Sequence, residues 1–512
     1  MPAKKKKIKK ILIANRGEIA VRIIHACREM DIPAAVIYSE ADRTSLHVQL
    51  ADESICIGPP SPLESYLNID AVIGAAKKCG ADAVHPGYGF LAENADFAER
   101  CVKEGLIFIG PPAQAIRDMG DKVESRRIME SAGIPVVPGT TGAVGKFKQL
   151  LKAASSIEPP LFVKASAGGG GKGMRIVDNM ADLESTIEAA SREAESAFGN
   201  GTVYIEKVIE NPRHIEFQVL LDQHGAGIHL FERECSIQRR HQKLVEETPS
   251  TALTPDVRRI MGETAVAAAR AVGYQNAGTV EFLFDDKKKE FYFLEMNTRI
   301  QVEHPVTELT TGVDLVKWQI RIAQGEPLSL TQEGLVQRGH AIECRIYAED
   351  PTAGFMPSSG KILYLQEPSG PGVRNDSGIY DGYEVTTHYD PILSKLVTWD
   401  ETREGARLKM ITALENYVIL GIKTCTLFLR DLLAHQAFID GKTNTDFIPK
   451  YMSEWSSKTW RPKDGGPPDE VLVAAALMEY LAKPIATGGD GVQERAPTPW
   501  QTVGRWEIGG GA

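Results

Sequence analysis

Nowhere in these 512 residues is there a run of 18 apolar side chains, the least that a membrane-spanning helix needs. Nor does an apolar core follow the charged N-terminus to make a secretion signal. The sequence therefore predicts a chain that stays where it is made. Cysteine is scarce: seven residues, an odd number, run from Cys27 to Cys425 without one Cys-x-x-Cys pair. That speaks against a disulfide frame and a zinc ribbon, and for reduced thiols in the cytoplasm. Positive charge is in deficit, with 58 Lys and Arg against 68 Asp and Glu and a net charge of −10. Such a balance disfavours nucleic acid and anionic membranes as partners. The six lysines among the first ten residues read as a solvated tail. Internal repeats are absent as well, and the first turn lacks the Gly-x-Gly-x-x-Gly spacing of a dinucleotide site.

What is present suits about three domains of ordinary size, with 43% hydrophobic residues to build their cores. "KKILIANRGEIAVRIIHACREMDIPAAVIYSE" reads as strand, turn, helix with Ile19, Ile23, Ile24 and Cys27 on its apolar side, and a second strand. The pattern recurs through "YLNIDAVIGAAKKCGADAVHPGYGF" and "GLIFIGPP", so residues 1–112 are expected to form a parallel-sheet α/β domain. A linker helix is predicted within 113–135, with Asp121 near its cap. Residues 136–206 form a smaller unit, with "PPLFVKASAGGGGKGMRIV" as strand, glycine turn and strand, and a helix over 182–198. A mixed α+β region follows over 207–452. From 453 to 512 the chain reads as a tail carrying one lone helix, "VLVAAALMEYLA".

The most informative stretch is "FLEMNTRIQVEHP", where Glu295, Asn297, Arg299, Gln301 and Glu303 alternate with apolar residues as on one face of a strand. If Lys287, Lys288 and Lys289 form a three-residue hairpin loop, Asp286 pairs with Glu290, and counting back sets Glu281 opposite Glu295. Facing acids about 5 Å apart repel unless a cation stands between them. With the amide oxygen of Asn297 they make a hard oxygen set suited to magnesium, which completes its shell with water and phosphate. In "KASAGGGGKGM", Gly168, Gly169, Gly170 and Gly171 let backbone amides approach an anion, with Lys164 closing the preceding strand. Position 173 is glycine where a P-loop needs Ser or Thr. Lys122 sits at the start of a helix, where a cation opposes the macrodipole, which leaves two readings open: service to something other than the helix, or a surface lysine tolerated beside Asp121. "ERECSIQRRHQKLVEE" is read as one cationic strand, with Arg239, His241 and Lys243 on one face and Gln238, Arg240 and Gln242 on the other. Arg345 is read as part of a half-buried strand.

Taken together, "ILIANRGEIAVRI", "HPGYGFLAEN", "GDKV", "KASAGGGGKGMR", "ENPRHIEFQV", "CSIQRRHQK", "EMNTRIQVEHPVTE" and "GHAIECRIYAEDP" resemble the biotin carboxylases of the ATP-grasp superfamily, over about Lys9 to Met452. The resemblance implies a three-domain fold of α/β and α+β parts: a Rossmann-like N-terminal domain, a glycine-bearing lid over ATP, and a larger C-terminal domain. It implies phosphorylation of bicarbonate by ATP to carboxyphosphate and carboxylation of biotin, with Mg2+, or Mn2+ in its place, as the metal. By position Lys122, Lys164, Glu206, Lys207, Ile209, His214, Gln238 and His241 resemble the nucleotide-binding residues. Glu281 and Glu295, with Asn297, resemble the metal ligands. Lys243, Arg299, Gln301 and Val302 resemble the bicarbonate site, Tyr88 part of the biotin side, Glu303 the base for bicarbonate, and Arg345 the group that steadies the biotin anion. The string "RLKMI" has leucine before Lys409 where a carrier has methionine, so biotin is expected on a separate biotin carboxyl carrier protein, serving a carboxyltransferase subunit. A homodimer is expected from the family. The tail resembles the connector of acyl-CoA carboxylase subunits, and nothing in the sequence selects acetyl-CoA, propionyl-CoA or pyruvate as final acceptor.

Overall fold

Short apolar strands that alternate with amphipathic helices bury both kinds of surface most economically as a parallel sheet faced by helices. In the computed structural model, which describes residues 7–140, 147–154, 157–166, 174–240, 242–456 and 469–482, the N-terminal part has that form. Strands β1 (Ile11–Ile13), β2 (Ala34–Tyr38), β3 (Glu53–Cys56), β4 (Ala83–His85) and β5 (Ile107–Phe108) are parallel, in the order β3-β2-β1-β4-β5. The helix Gly17–Glu29 turns Ile19, Ile23, Ile24 and Cys27 inward, as their spacing predicts. Strand order reverses between β1 and β4, so the loops after these two strands diverge and open a crevice at their carboxyl ends. Asn15 ties the two loops together, its amide donating to the carbonyls of Pro86 and Tyr88, both at 2.7 Å. Gly87, at φ 63°, accommodates this approach: a Cβ there would lie 2.9 Å from the Asn15 amide nitrogen.

The expected linker proves to be two helices, Ala113–Gly120 and Lys122–Ser131, the second capped by the Asp121 carboxylate, which accepts from the Val123 and Glu124 amides. Three antiparallel strands then pair in the order β7-β6-β8: β6 (Leu161–Ala165), β7 (Met174–Val177) and β8 (Val203–Lys207). The helix Leu183–Phe198 packs Leu183 and Ile187 against Leu161, Val163 and Ile205. The glycine turn between β6 and β7, with Gly168, Gly169, Gly170 and Gly171, lies outside the described residues, as does His241.

An eight-stranded antiparallel sheet organises the rest. It contains β9 (Arg213–Leu221), β10 (Gly227–Arg239), β11 (Gln242–Thr248), β12 (Asn276–Asp285), β13 (Glu290–Asn297) and β14 (His340–Tyr347), in the order β13-β12-β9-β10-β11-β14, continued by the strands Ile392–Asp400 and Val373–Ser377. On one face Ile215, Phe217, Val280 and Phe282 meet the helix Pro255–Ala271 through Met261 and Ala265. On the other face the alternate residues His214, Glu216, Gln218, Thr279 and Glu281 are polar and also buried. A sheet that buries polar groups has to satisfy them internally, and that face is where the chemistry gathers.

Three expectations from the sequence are corrected. The β12–β13 hairpin pairs Asp285 with Glu290, leaving four turn residues where three were expected, and a bulge between Glu281 and Phe282 restores the register, so that Glu281 does face Glu295. The polar alternation is not one strand: β13 ends at Asn297, and Glu303 stands immediately before the helix His304–Thr311. The cationic segment is not one strand either, because the chain reverses after Arg239, with Arg240 at φ 50°, so Gln238 lies opposite Lys243 and Arg239 opposite Gln242. In addition, β14 is buried along its whole length rather than half-buried.

A loop from the C-terminal part is embedded in the N-terminal domain. The Tyr389 hydroxyl donates to the Pro60 carbonyl at 2.7 Å and lies 2.6 Å from the Ser39 hydroxyl. Its ring meets Tyr66 and Phe90 edge-on, with the Arg16 guanidinium 4.4 Å from its centroid. Arg16 is in turn held by Asp42 through bonds of 2.6 and 2.7 Å. Residues 457–512 form a separate unit, within which the helix Asp469–Ala482 exposes every residue from 471 to 477.

Candidate active site

The polar face of the large sheet, the crevice of the N-terminal domain and the β6–β8 sheet enclose a cleft of about 1380 Å³. Its walls include Tyr88, Lys122, Lys164, Glu206, Lys207, Ile209, His214, Gln238, Lys243, Glu281, Glu295, Asn297, Arg299, Gln301, Val302 and Arg345. Residues from both ends of this long chain segment thus share one chamber. Glu303 does not line it: with no exposed surface, it lies behind Lys243 and Arg345.

Two centres divide the chamber. At the first, Lys164 and Arg126 both bind Glu206, at 2.6 and 2.8 Å, and Lys122 lies 3.9 Å from Glu295 across from Glu281. At the second, the Lys243 ammonium donates to three carboxylates, Glu216 at 2.6 Å, Glu303 at 2.7 Å and Glu281 at 2.9 Å, which uses all three of its protons. Glu281 connects the centres. Its Oε1 also accepts from the amides of Asn297 and Gln301, at 2.8 and 3.1 Å, and its Oε2 lies 2.7 Å from His214 Nε2.

Charge placement sets the ionisation. Burial would raise the Glu303 pKa, but Lys243, Arg345 and Arg233 outweigh it and hold the carboxyl well below the usual range. Glu281 is likewise depressed, burial being overcome by Lys243 and His214. Glu295 goes the other way, raised by desolvation in the cleft and by the facing charge of Glu281. Two opposed acids, one strongly ionised and one reluctant to ionise, are the donor set that a hard divalent cation stabilises best. Asn297 lies beside this pair, its amide oxygen accepting from Arg299 at 3.0 Å and its nitrogen donating to Glu281 at 2.8 Å.

Several residues here escape a reading of the sequence. Glu216 and Arg233 form a fully buried pair at 2.6 Å, and Arg233 also donates to Gln218, Thr279 and Thr307. Glu246 accepts from Arg345 Nε at 2.6 Å, and Glu93 of the N-terminal domain accepts from Arg299 Nε at 2.9 Å and from the Thr298 amide at 3.0 Å. A signal exists for Glu216: "HIEFQV" alternates polar and apolar residues as "EMNTRIQVE" does.

Comparison with known proteins agrees with this geometry. Residues 7–116 match the family model "Biotin carboxylase, N-terminal domain", residues 121–331 the "Carbamoyl-phosphate synthase L chain, ATP binding domain", and residues 343–450 the "Biotin carboxylase C-terminal domain". Biotin carboxylase 1 of Bacillus subtilis is 53% identical over 444 residues, 87% of this chain and 99% of that protein. The mitochondrial methylcrotonoyl-CoA carboxylase subunit alpha of rice is 51% identical over 477 residues, 93% of this chain; the chain spans 65% of the rice protein's length. A crystal structure of Campylobacter jejuni biotin carboxylase in a β,γ-ATP complex superposes with a TM-score of 0.84 at 48% identity, covering 87% of this chain and 99% of that one. The biotin carboxylase domain dimer of Hydrogenobacter thermophilus 2-oxoglutarate carboxylase, solved with MgADP, ADP and bicarbonate, also scores 0.84, at 49% identity, covering 88% of this chain and all of that one.

Proposed function

Because the chain belongs to the biotin carboxylase family of ATP-dependent ligases, we propose that it uses MgATP and bicarbonate to carboxylate the biotin of a separate carrier protein. The observation that carries this reading is the Lys243 ammonium shared by Glu216, Glu281 and Glu303, with Arg345 on the far oxygen of Glu303. It puts a buried carboxylate and two fixed cations beside the opposed pair Glu281 and Glu295. Lys122 and Lys164 are placed to meet the phosphates of ATP, with Glu206, Lys207, Ile209, His214 and Gln238 around the nucleotide. Glu281 and Glu295 would hold Mg2+, which when bound neutralises developing charge on the phosphates.

Bicarbonate would lie against Lys243, Arg299, Gln301 and the Val302 backbone. An entering anion competes with Glu303 for Lys243, and each bond drawn away makes Glu303 a stronger base at the moment its substrate arrives. Arg345, fixed from behind, remains aimed at the anion that forms on the biotin ring, where a preorganised cation contributes most. Closing the cleft over the substrates would exclude water from a hydrolysable intermediate.

The partners belong to the same proposal: a biotinylated carrier, a carboxyltransferase, and a second copy of this chain, in the cytoplasm. No helix among the described residues is long and apolar enough to cross a membrane. A helix apolar on all sides is stable in water only when something covers it, and Val471, Leu472, Val473 and Leu477 of the tail helix are more than half exposed. That helix is proposed to dock the transferase. The test is ADP release by the purified chain with and without bicarbonate and free biotin: dependence on both supports the reading, and turnover indifferent to biotin overturns it. A chain ending at Met452 that assembles with carrier and transferase as well as the full chain would overturn the role of the tail.

A further inference from the structure

Behind Arg345 the sheet contains an arrangement that the proposed reaction does not use. Glu246 on β11 and Glu343 on β14 are direct cross-strand partners, both without exposed surface. Like charges in that position are strongly unfavourable when buried. Glu246 has a cation, accepting from Arg345 Nε at 2.6 Å, but its Oε2 has no partner. Both oxygens of Glu343 are also unpartnered, and among the described residues no cation lies within salt-bridge distance of them. Lys395, on the strand Ile392–Asp400, is directed to Glu18 at 3.2 Å and Asp376 at 3.8 Å. Three buried orphan oxygens on facing carboxyl groups call for one hydrogen.

We propose that Glu246 and Glu343 share a single proton, carried by Glu343 and donated to Glu246 Oε2, and that this carboxyl pair positions Arg345 for the biotin anion. The proposal rests on the role given to Arg345 above. Glu246 thereby has one oxygen fixed by Glu343 and the other on Arg345 Nε, while Glu303 takes Arg345 Nη2 at 3.0 Å, so the guanidinium is held at two corners. The charged groups facing Glu343 are Glu246 on β11, Lys395 on the strand Ile392–Asp400, Glu303 before the helix His304–Thr311, and Arg345 on its own strand. Burial and the charge of Glu246 place its pKa well above the ordinary carboxylate value, and burial lifts Glu246 itself to about 7 despite Arg345. Alkaline pH would ionise Glu343, add a second negative charge behind Arg345 and loosen its aim.

The test uses the full chain with free biotin, bicarbonate and MgATP. Glu343→Gln keeps a neutral donor and is expected to retain kcat within about twofold at neutral pH, whereas Glu343→Leu, which leaves Arg345 loosely held, should lose about tenfold to a hundredfold in kcat with KM for ATP unchanged. The alkaline limb of the wild-type pH profile should move to higher pH in Glu343→Gln. Equal activity of the glutamine and leucine variants, or an unmoved alkaline limb, overturns the proposal. Neutron diffraction on the wild-type protein does not depend on whether the variants fold: a deuteron between Glu343 and Glu246 Oε2 supports the pair, and its absence rejects it. Arg345→Ala is run alongside. If it leaves biotin-dependent turnover intact, the role of Arg345 fails whatever the neutron map shows.

Discussion

Replacing Lys243 by methionine tests the electrostatics of the site most directly. The ammonium is 2.6, 2.7 and 2.9 Å from three buried carboxylates, and removing one partner of a buried ion pair costs about 3–5 kcal/mol. The loss is limited because an acid can take up a proton instead. Glu216 is the one to do so, since burial and the charge of Glu303 already raise its pKa. Protonating a carboxyl of ordinary pKa near 4.3 costs about 1.4 kcal/mol per pH unit, or roughly 4 kcal/mol at about pH 7.5 and roughly 2 kcal/mol at about pH 6. The folded variant then binds a proton that the unfolded chain does not, so its stability falls as pH rises. In the wild type, Glu281 and Glu303 are depressed, and their contribution is present above the unfolded pKa and lost as pH falls through the folded one. Urea unfolding at the two pH values, followed by tryptophan fluorescence, should therefore show Lys243→Met destabilised by about 2 kcal/mol more at the higher pH. A deficit that is the same at both values, or no deficit, would refute the protonation argument.

Glu303→Ala should bind ATP within about twofold of wild type by nucleotide titration while losing about 10²- to 10⁴-fold in bicarbonate-dependent turnover, the usual contribution of a positioned base. A large loss of nucleotide affinity would count against that role. Chelating divalent cations should abolish turnover, and Glu295→Gln should raise the Mg2+ concentration for half-maximal rate by about tenfold, or ~1.4 kcal/mol; an unchanged requirement would remove Glu295 from the metal site. Tyr389→Phe, which loses the bond to Pro60, should cost about 0.5–1.5 kcal/mol in thermal or urea unfolding, with KM for ATP unaltered.

Regular periodicity is legible in the sequence, and irregular backbone is not. The parallel sheet, the Asp121 cap and the helix Leu183–Phe198 all follow from period-3.6 or short-strand patterns that local residues determine. The opposition of Glu281 and Glu295 comes out of a hairpin count that misses both the turn and the register, because a four-residue turn and a one-residue bulge cancel. No glycine, proline or asparagine announces the reversal at Arg240 in "QRRHQ", so a single strand gives Lys243 the wrong neighbours. Arg345 reads as an ordinary strand residue because its burial depends on Glu246 and Glu303, partners that only the folded sheet brings near. The partner that neutralises a buried charge cannot be read from the local pattern around it.

The anchorage of Tyr389 between Ser39, Pro60 and Arg16 has a consequence for protein engineering. A chimera that exchanges the N-terminal domain for that of a relative cuts the chain far from residue 389, yet it inherits half of a lock whose key is encoded near the other end. Grafts of this kind should succeed when the segment 386–391 travels with its socket and fail when it is left behind.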